Sequence, residues 1–336
     1  LRITGNISHR FKSKSNAFLS ITGGNKVAQF NRQEPISNFV NAVSTLFFRD
    51  NYMKLYEKNF ANASYQQELV NGLYVYANTE YAERRPLFNT TDQSFIKKDN
   101  KDYTSNNPLD ETDFTSGGIE KHNLVKLNLN FRINFGQKYI SRPDAKINIP
   151  NSKFPIIFLG YEKGLAGNED FYNYDLVMGR MTYNKTLGNK GDLGLNFRAG
   201  KFFNADGISF VDFKHFNGNQ THVQTTDSYL NVFNLLPYYA NSTNDAYIET
   251  HFEHNFNGFI MNKIPLLNKL KSNLIVGYHQ IATPNHLPYQ EFTIGLDRLG
   301  FGKYKILRLD YVRAYNGSTF TTDGVMFGLK FLDIFE

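Results

Sequence analysis

The 336-residue chain has no cysteine and no tryptophan. Without cysteine it has no disulfide framework and no thiolate metal site. Without tryptophan, any aromatic girdle at a membrane boundary would rest on its 31 Phe and 21 Tyr. Long apolar runs are missing as well. The most apolar stretch, near Phe154 to Tyr161, falls far short of the ~18 residues a membrane helix needs. The net charge of +6 is spread along the chain with no basic cluster, which argues against nucleic acid. No Gly-rich phosphate loop, nucleophile elbow or triad spacing is visible. No catalytic residue, cofactor or resident metal is therefore expected, and the chain is read as not an enzyme. The first residues, Leu1-Arg2-Ile3-Thr4-Gly5, open in mid-pattern rather than with a basic start and an apolar core. This reads as the C-terminal part of a longer precursor.

What is present is alternation. Between Val125 and Gly136, Leu127, Leu129, Phe131, Ile133 and Phe135 are apolar, and Lys126, Asn128, Asn130, Arg132 and Asn134 lie between them. A period of two puts one set on each face of a β-strand. The pattern recurs over Gly191–Lys201, Ala246–Phe256, Ser272–Gln280, Gln290–Asp297, Tyr304–Ala314 and Gly324–Phe331. Weaker versions cover Arg2–Phe11, Asn16–Phe30, Tyr52–Phe60, Asn71–Arg84, Phe154–Glu162, Phe171–Tyr183 and Ile208–Phe216. Short turns such as Gly188-Asn189-Lys190-Gly191 and Gly300-Phe301-Gly302-Lys303 link neighbours and imply up-and-down topology.

Two segments break the period. Ile36, Phe39, Val40, Val43, Leu46 and Phe47 recur at helical spacing, which predicts a short amphipathic helix near residues 36–48. Residues 85–122 are polar and rich in Asn, Asp, Lys and Thr, and read as a long surface loop on the outer side. Leu266, Leu267 and Leu270, after Pro265, suggest a short amphipathic piece at the membrane edge.

A soluble sheet shows the same alternation with its apolar face turned inward, so one strand cannot separate the two solutions. Length favours the membrane, because soluble strands average about five or six residues and spanning strands need ~9–11. A mean hydropathy of −0.45 does not oppose this, since a barrel turns only every second residue to lipid. The expectation is an all-β, antiparallel, up-and-down transmembrane β-barrel of about 12–16 strands, forming one domain over residues 1–336.

Several motifs carry a family resemblance: Asn51-Tyr52-Met53-Lys54-Leu55-Tyr56-Glu57-Lys58, Asn71-Gly72-Leu73-Tyr74, Glu83-Arg84-Arg85-Pro86-Leu87, His215-Phe216-Asn217-Gly218-Asn219-Gln220-Thr221 and His254-Asn255-Phe256-Asn257-Gly258 with Asn262-Lys263-Ile264-Pro265-Leu266. In these the chain resembles the C-terminal region of a family of Gram-negative outer-membrane proteins of unknown function. Those proteins carry a carboxypeptidase-like regulatory domain ahead of a barrel. More distantly it is similar to the bacterial surface-antigen superfamily of assembly and translocation barrels. The Arg-Gly-Phe or Arg-Gly-Tyr tripeptide of the lumenal loop in that superfamily is absent here.

The resemblance implies an outer-membrane location and a role in transport or envelope biogenesis, with the first and last strands forming a seam. The alternative is an adhesive barrel that binds a partner through its outer loops. Expected partners are the lipid bilayer and lipopolysaccharide, together with periplasmic or outer-membrane proteins. The residues expected to face a wet interior are Arg132, Arg198, Glu249, His251, Glu253, Asp297, Arg308 and Asp310. Glu249, His251 and Glu253 share one strand face and could form a polar row. Arg308 and Asp310 are expected to meet Glu291 or Asp297 across neighbouring strands.

Overall fold

A computed structural model describes residues 2–11, 15–96, 101–142, 146–150, 153–166, 168–224, 229–301 and 304–329. The expected turn residues Gly302 and Lys303, and the chain end from Lys330 onward, lie outside the described residues. The chain forms two compact units, Leu1–Gly179 with Gly200–Lys214, and Arg180–Ala199 with His215–Glu336.

The first unit holds β1 (Thr4–Arg10), β2 (Phe18–Gln29), β3 (Leu55–Val70), β4 (Leu73–Pro86), β5 (His122–Asn134), β6 (Lys138–Ser141), β7 (Lys146–Ile149), β8 (Ile156–Ala166) and the start of β9 (Tyr174–Thr186). Its strands follow in the order β1-β2-β3-β4-β5-β8-β9, while β6 and β7 form a separate hairpin. The second unit holds most of β10 (Asp192–Phe203), then β11 (Val223–Gln224), β12 (Ala246–Asn255), β13 (Asn273–Thr283), β14 (His286–Phe301), β15 (Tyr304–Asn316) and β16 (Thr319–Leu329). Its order is β10-β12-β13-β14-β15-β16-β11.

The expected all-β, antiparallel architecture is therefore present. The pairing is antiparallel from β1 through β5 to β8 and from β12 to β16, whereas β11 runs parallel to β16 through Val223↔Phe327 and Gln224↔Gly328. Among the described residues the ladder is open, so closure into a barrel is not part of the observed pairing.

Which face is buried is decided by the tertiary structure, and it is the polar one. On β5, His122, Leu124 and Lys126 are buried, while Leu127 and Leu129 are exposed. On β14, Tyr289, Glu291, Thr293 and Asp297 are buried, while Phe292 and Ile294 remain more than half exposed. On β15, Arg308 and Asp310 are buried between the exposed Leu307, Leu309 and Tyr311. This inverts the rule for a protein in water, where charged residues are almost never fully buried.

The helix is shorter than its periodicity suggests. α1 (Asn38–Val43) is capped by Ser37, whose Oγ accepts from the Val40 N–H at 3.3 Å. A π turn over Ser44–Phe48 follows, ended by Arg49 in a left-handed conformation. Phe39, Phe47 and Phe48 stay exposed, as do Leu266, Leu267 and Leu270 near two 3-10 turns.

Two expectations need correction. Ile208–Phe216 is not a strand: a 3-10 turn occupies Phe210–Asp212, and consecutive Val211 and Asp212 are both buried. A strand buries alternate residues, so it could not do this. Residues 87–121 are not simply a solvated loop, because Ser105, Asn106 and Asn107 are buried. Proline explains why. β4 ends at Pro86, which has no N–H to carry the ladder further along β3. Asn106 takes that place: its Oδ1 accepts from the Leu55 N–H at 2.8 Å, and its Nδ2 donates to the Leu55 and Leu87 carbonyls at 2.7 Å each. Lys54, buried beside it, donates to the Ser105 carbonyl at 2.7 Å.

Replacing Asn106 with Ala removes these bonds and leaves backbone groups of Leu55 unpaired. Stability should fall by about 1–3 kcal/mol. Hydrogen exchange at Leu55 should accelerate, and an unchanged rate there would refute the ladder-completing role.

Candidate functional site

In each unit, one group of buried polar side chains lies where the connection between β10 and β12 meets a sheet face. In the first unit the meeting point is Asp212, at the end of the 3-10 turn. Its Oδ2 accepts from Arg84 Nη1 at 2.5 Å and its Oδ1 from Arg84 Nη2 at 3.1 Å. Arg32, on the connection after β2, donates to the same carboxylate at 2.9 Å, and Lys126 of β5 forms a third ion pair with it. Arg32 also holds both oxygens of Glu162 on β8, at 3.0 and 2.8 Å. Tyr174 of β9 donates its hydroxyl to Glu162.

Arg84, Lys126, Glu162 and Asp212 are all buried, and three cations face two carboxylates. Burial by itself would raise the Asp212 carboxyl. The neighbouring Arg84, Lys126 and Arg32 outweigh that and hold it well below the usual carboxylate range. Arg84 is further positioned by His122. The His122 Nδ1–H donates to the Glu120 carbonyl at 2.8 Å, which leaves Nε2 to accept from Arg84 at 3.3 Å; this tautomer follows from the network. Gly164 on β8 makes room for the arrangement, since a Cβ there would lie 2.3 Å from the Tyr174 ring.

The second unit holds the remainder of the same connection by a different device. Glu291 of β14 accepts from the successive backbone N–H groups of Asn234 and Leu235, at 2.7 and 2.8 Å. It also accepts from the Asn234 side chain at 3.2 Å and from the Tyr289 hydroxyl at 2.7 Å. Phe233 is fully buried against the rings of His251, His279 and Tyr289. Asn196 of β10 hydrogen-bonds Asn231. Within each unit, a buried sheet face thus holds its own part of this connection.

The sequence matches the model of the family of unknown function (DUF5686) C-terminal domain over residues 1–296. The chain belongs to this family. No curated protein matches it. Among solved structures it is similar to the crystal structure of BamA from Haemophilus ducreyi lacking POTRA domains 1–3, at 10% sequence identity and a TM-score of 0.48. The alignment covers 97% of this chain and 60% of that one, so the chain spans about three fifths of that chain's length.

The residues expected to face the interior of the DUF5686 chain fall into separate groups. Arg198 donates to Glu249 at 3.0 Å, Glu249 pairs with His251 Nε2 at 2.9 Å, and His251 Nδ1 lies 2.8 Å from His279 Nδ1. Glu253 is not in that row. It takes Arg308 from β15 at 2.7 Å, and Arg308 also holds Asp310 at 2.7 Å. Glu291, one of the two partners expected for Arg308, is instead engaged by Asn234 and Leu235. Gly277 and Gly295 hold the inward positions on β13 and β14, the strands between Arg308 and Glu253. At Gly295 a Cβ would fall 1.7 Å from Asp310 Oδ1. Asp297 is buried on the inner face, and Arg132 stands apart from these clusters in the first unit. Among the described residues no group of three His, Cys, Asp or Glu is arranged to hold a metal ion.

Arg32, Arg84, Glu162, Tyr174, Asp212, Phe233, Asn234 and His279 escape a sequence reading of the site. Arg32, Asp212, Phe233 and Asn234 lie in irregular segments with no period, so no pattern marks them.

Asp212→Asn leaves Arg84 and Lys126 buried with less compensation and should cost about 3–5 kcal/mol. A carboxyl held low in the folded state stabilises above its unfolded value, and that contribution is lost as pH falls through the folded value. Protection over residues 205–213, taken as the hydrogen-exchange rate relative to the intrinsic rate at each pH, should therefore stay constant from about pH 7 to 5 and fall only below about pH 4. In D212N that protection should be low throughout, and full protection at neutral pH would reject the anchor. Gly164→Ala should displace Tyr174 and cost about 1–3 kcal/mol, read by thermal unfolding.

Proposed function

We propose that the chain is an outer-membrane β-barrel whose interior is held closed by the segment between β10 and β12. Its role would be in transport or envelope biogenesis, through movement of that segment. The observation that carries this reading is the inverted burial. Charged side chains line the buried face and grip the segment, while Phe, Leu, Ile and Tyr stand on the exposed face. An exposed face of this kind suits lipid, and strands of 10–16 residues such as β12, β5 and β14 are long enough to cross a bilayer. The resemblance to assembly and translocation barrels supports the same class of role. The resemblance to the outer-membrane family of unknown function implies, in addition, a carboxypeptidase-like regulatory domain ahead of the barrel. The reading calls for no enzymatic chemistry, and its surroundings would be the lipid bilayer and lipopolysaccharide.

The edge of β16 bears on the seam. Val223 and Gln224 already occupy it, and the Phe327 N–H donates to the His222 carbonyl at 2.9 Å. For β16 to pair with another strand there, this segment must leave. A moving plug and a seam would thus be one event.

The adhesive alternative rests on the connection after β4. That connection is ordered by Asn106 and Lys54, yet it leaves Phe88, Leu109 and Phe114 exposed.

The two readings separate by locking the segment. Asn234 Nδ2 lies 3.5 Å from Thr293 Oγ1, and the chain has no native cysteine to interfere. A deletion strain complemented with N234C/T293C should lose its envelope barrier under oxidation, read as vancomycin sensitivity, and regain it with reductant. Full complementation by the cross-linked protein would overturn the moving-plug reading and favour adhesion. In planar bilayers the wild type should be silent, and Glu291→Ala should conduct.

A further inference from the structure

Arg132 differs from its charged neighbours on the inner face. Lys58 pairs with Glu80, Arg84 and Lys126 with Asp212, Arg198 with Glu249, and Arg308 with Glu253 and Asp310. Arg132 has no carboxylate within ion-pair distance among the described residues. Its Nε donates to Asn134 Oδ1 at 3.1 Å, and its guanidinium lies over the Tyr74 ring, 5.2 Å from the centroid.

It lines a cavity of about 350 Å³ at the end of the first unit where β3 turns into β4. The polar lining is Tyr74, Arg132, Asn134, Gln137 and Asn148, and among the described residues Arg132 is the one charged residue of the lining. The apolar part of the lining includes Phe135, Ile149 and Phe154, each substantially exposed.

The β6–β7 hairpin contributes Asn148 and Ile149 to the lining and is fastened in place. Asn148 donates to the Tyr74 hydroxyl at 2.5 Å, Lys146 pairs with Glu68 at 2.5 Å, and Gln137 donates to the Ile149 carbonyl at 2.9 Å. A two-stranded hairpin is marginal alone, so these ties hold its share of the lining in position. The volume lies within the range of small-ligand pockets, and the combination of an apolar wall with a few placed polar groups is typical of them.

We propose that this cavity binds an anionic amphiphile, with the phosphate of its headgroup on Arg132 and its apolar tail against Phe135, Ile149 and Phe154. A planar guanidinium fits a phosphate by paired hydrogen bonds. The source of such a ligand is either a membrane phospholipid or a soluble phosphate compound, and the two make different demands on the apolar wall.

The test is calorimetric titration of the full chain in a non-ionic detergent with dihexanoyl-phosphatidylglycerol and, separately, with inorganic phosphate. The lipid should bind at least tenfold more tightly than phosphate. Arg132→Gln should weaken it at least tenfold, and Arg132→Lys should fall between. Phe154→Ala should weaken the lipid about fivefold and leave phosphate unchanged. Lys138→Gln, outside the cavity lining, should change neither. Folding of each variant is checked by its heat-dependent shift on a denaturing gel. Lipid binding by folded R132Q equal to wild type would overturn the site, and phosphate binding as tightly as the lipid would overturn the amphiphile. The titration does not require the inserted segment to move, so its failure and that of the moving-plug reading are distinguishable.

Discussion

A charge taken out of water must be matched by another charge or by hydrogen bonds, and this requirement organises the interior of both units. Burying an ion costs several kcal/mol before any partner is found. Arg84, Lys126, Glu162, Glu249, Glu291, Arg308 and Asp310 are all buried, so each demands a partner at close range. Neighbouring strands supply some of these partners. The rest come from residues that belong to no strand, and that dependence brings an irregular segment against the sheet.

The two units meet the demand in opposite senses. In the first, the wall carries an excess of cations and the segment supplies the carboxylate of Asp212. In the second, the wall carries the carboxylate of Glu291 and the segment supplies the backbone N–H groups of Asn234 and Leu235. The first arrangement depends on the identity of one side chain. The second needs only a chain that presents two N–H groups, with Phe233 filling the space beside the histidines. Glycines at inward positions widen what the wall can do. Gly164 admits the Tyr174 ring, and Gly295 admits the Asp310 carboxylate.

Much of the architecture was legible in the sequence because a period of two is local. It placed β5, β10, β12, β13 and β15 close to their observed bounds, found only the middle of β14 and the later part of β16, and separated the two faces of each. It also put Arg198, Glu249, His251, Glu253, Arg308 and Asp310 on the polar faces of their strands, and of these Glu249, His251, Arg308 and Asp310 are buried. It misread Ile208–Phe216, whose apolar residues are buried by an irregular turn rather than by pleating. It also missed the structure within residues 87–121. There a single asparagine does the work of a strand that Pro86 had stopped.

The sequence by itself determined that the strands are amphipathic and which residues share a face, because adjacent side chains on a strand must point opposite ways. It could not determine which face is buried, since an apolar-in and an apolar-out sheet have the same alternation. Only the tertiary structure decided that the charged face is the inner one. It alone paired Arg308 with Glu253 rather than with Glu291, and brought Asp212 and Asn234 to the wall. Partners from β12 and β15, or from a wall and an irregular segment, meet only through the fold, and no local periodicity encodes that meeting.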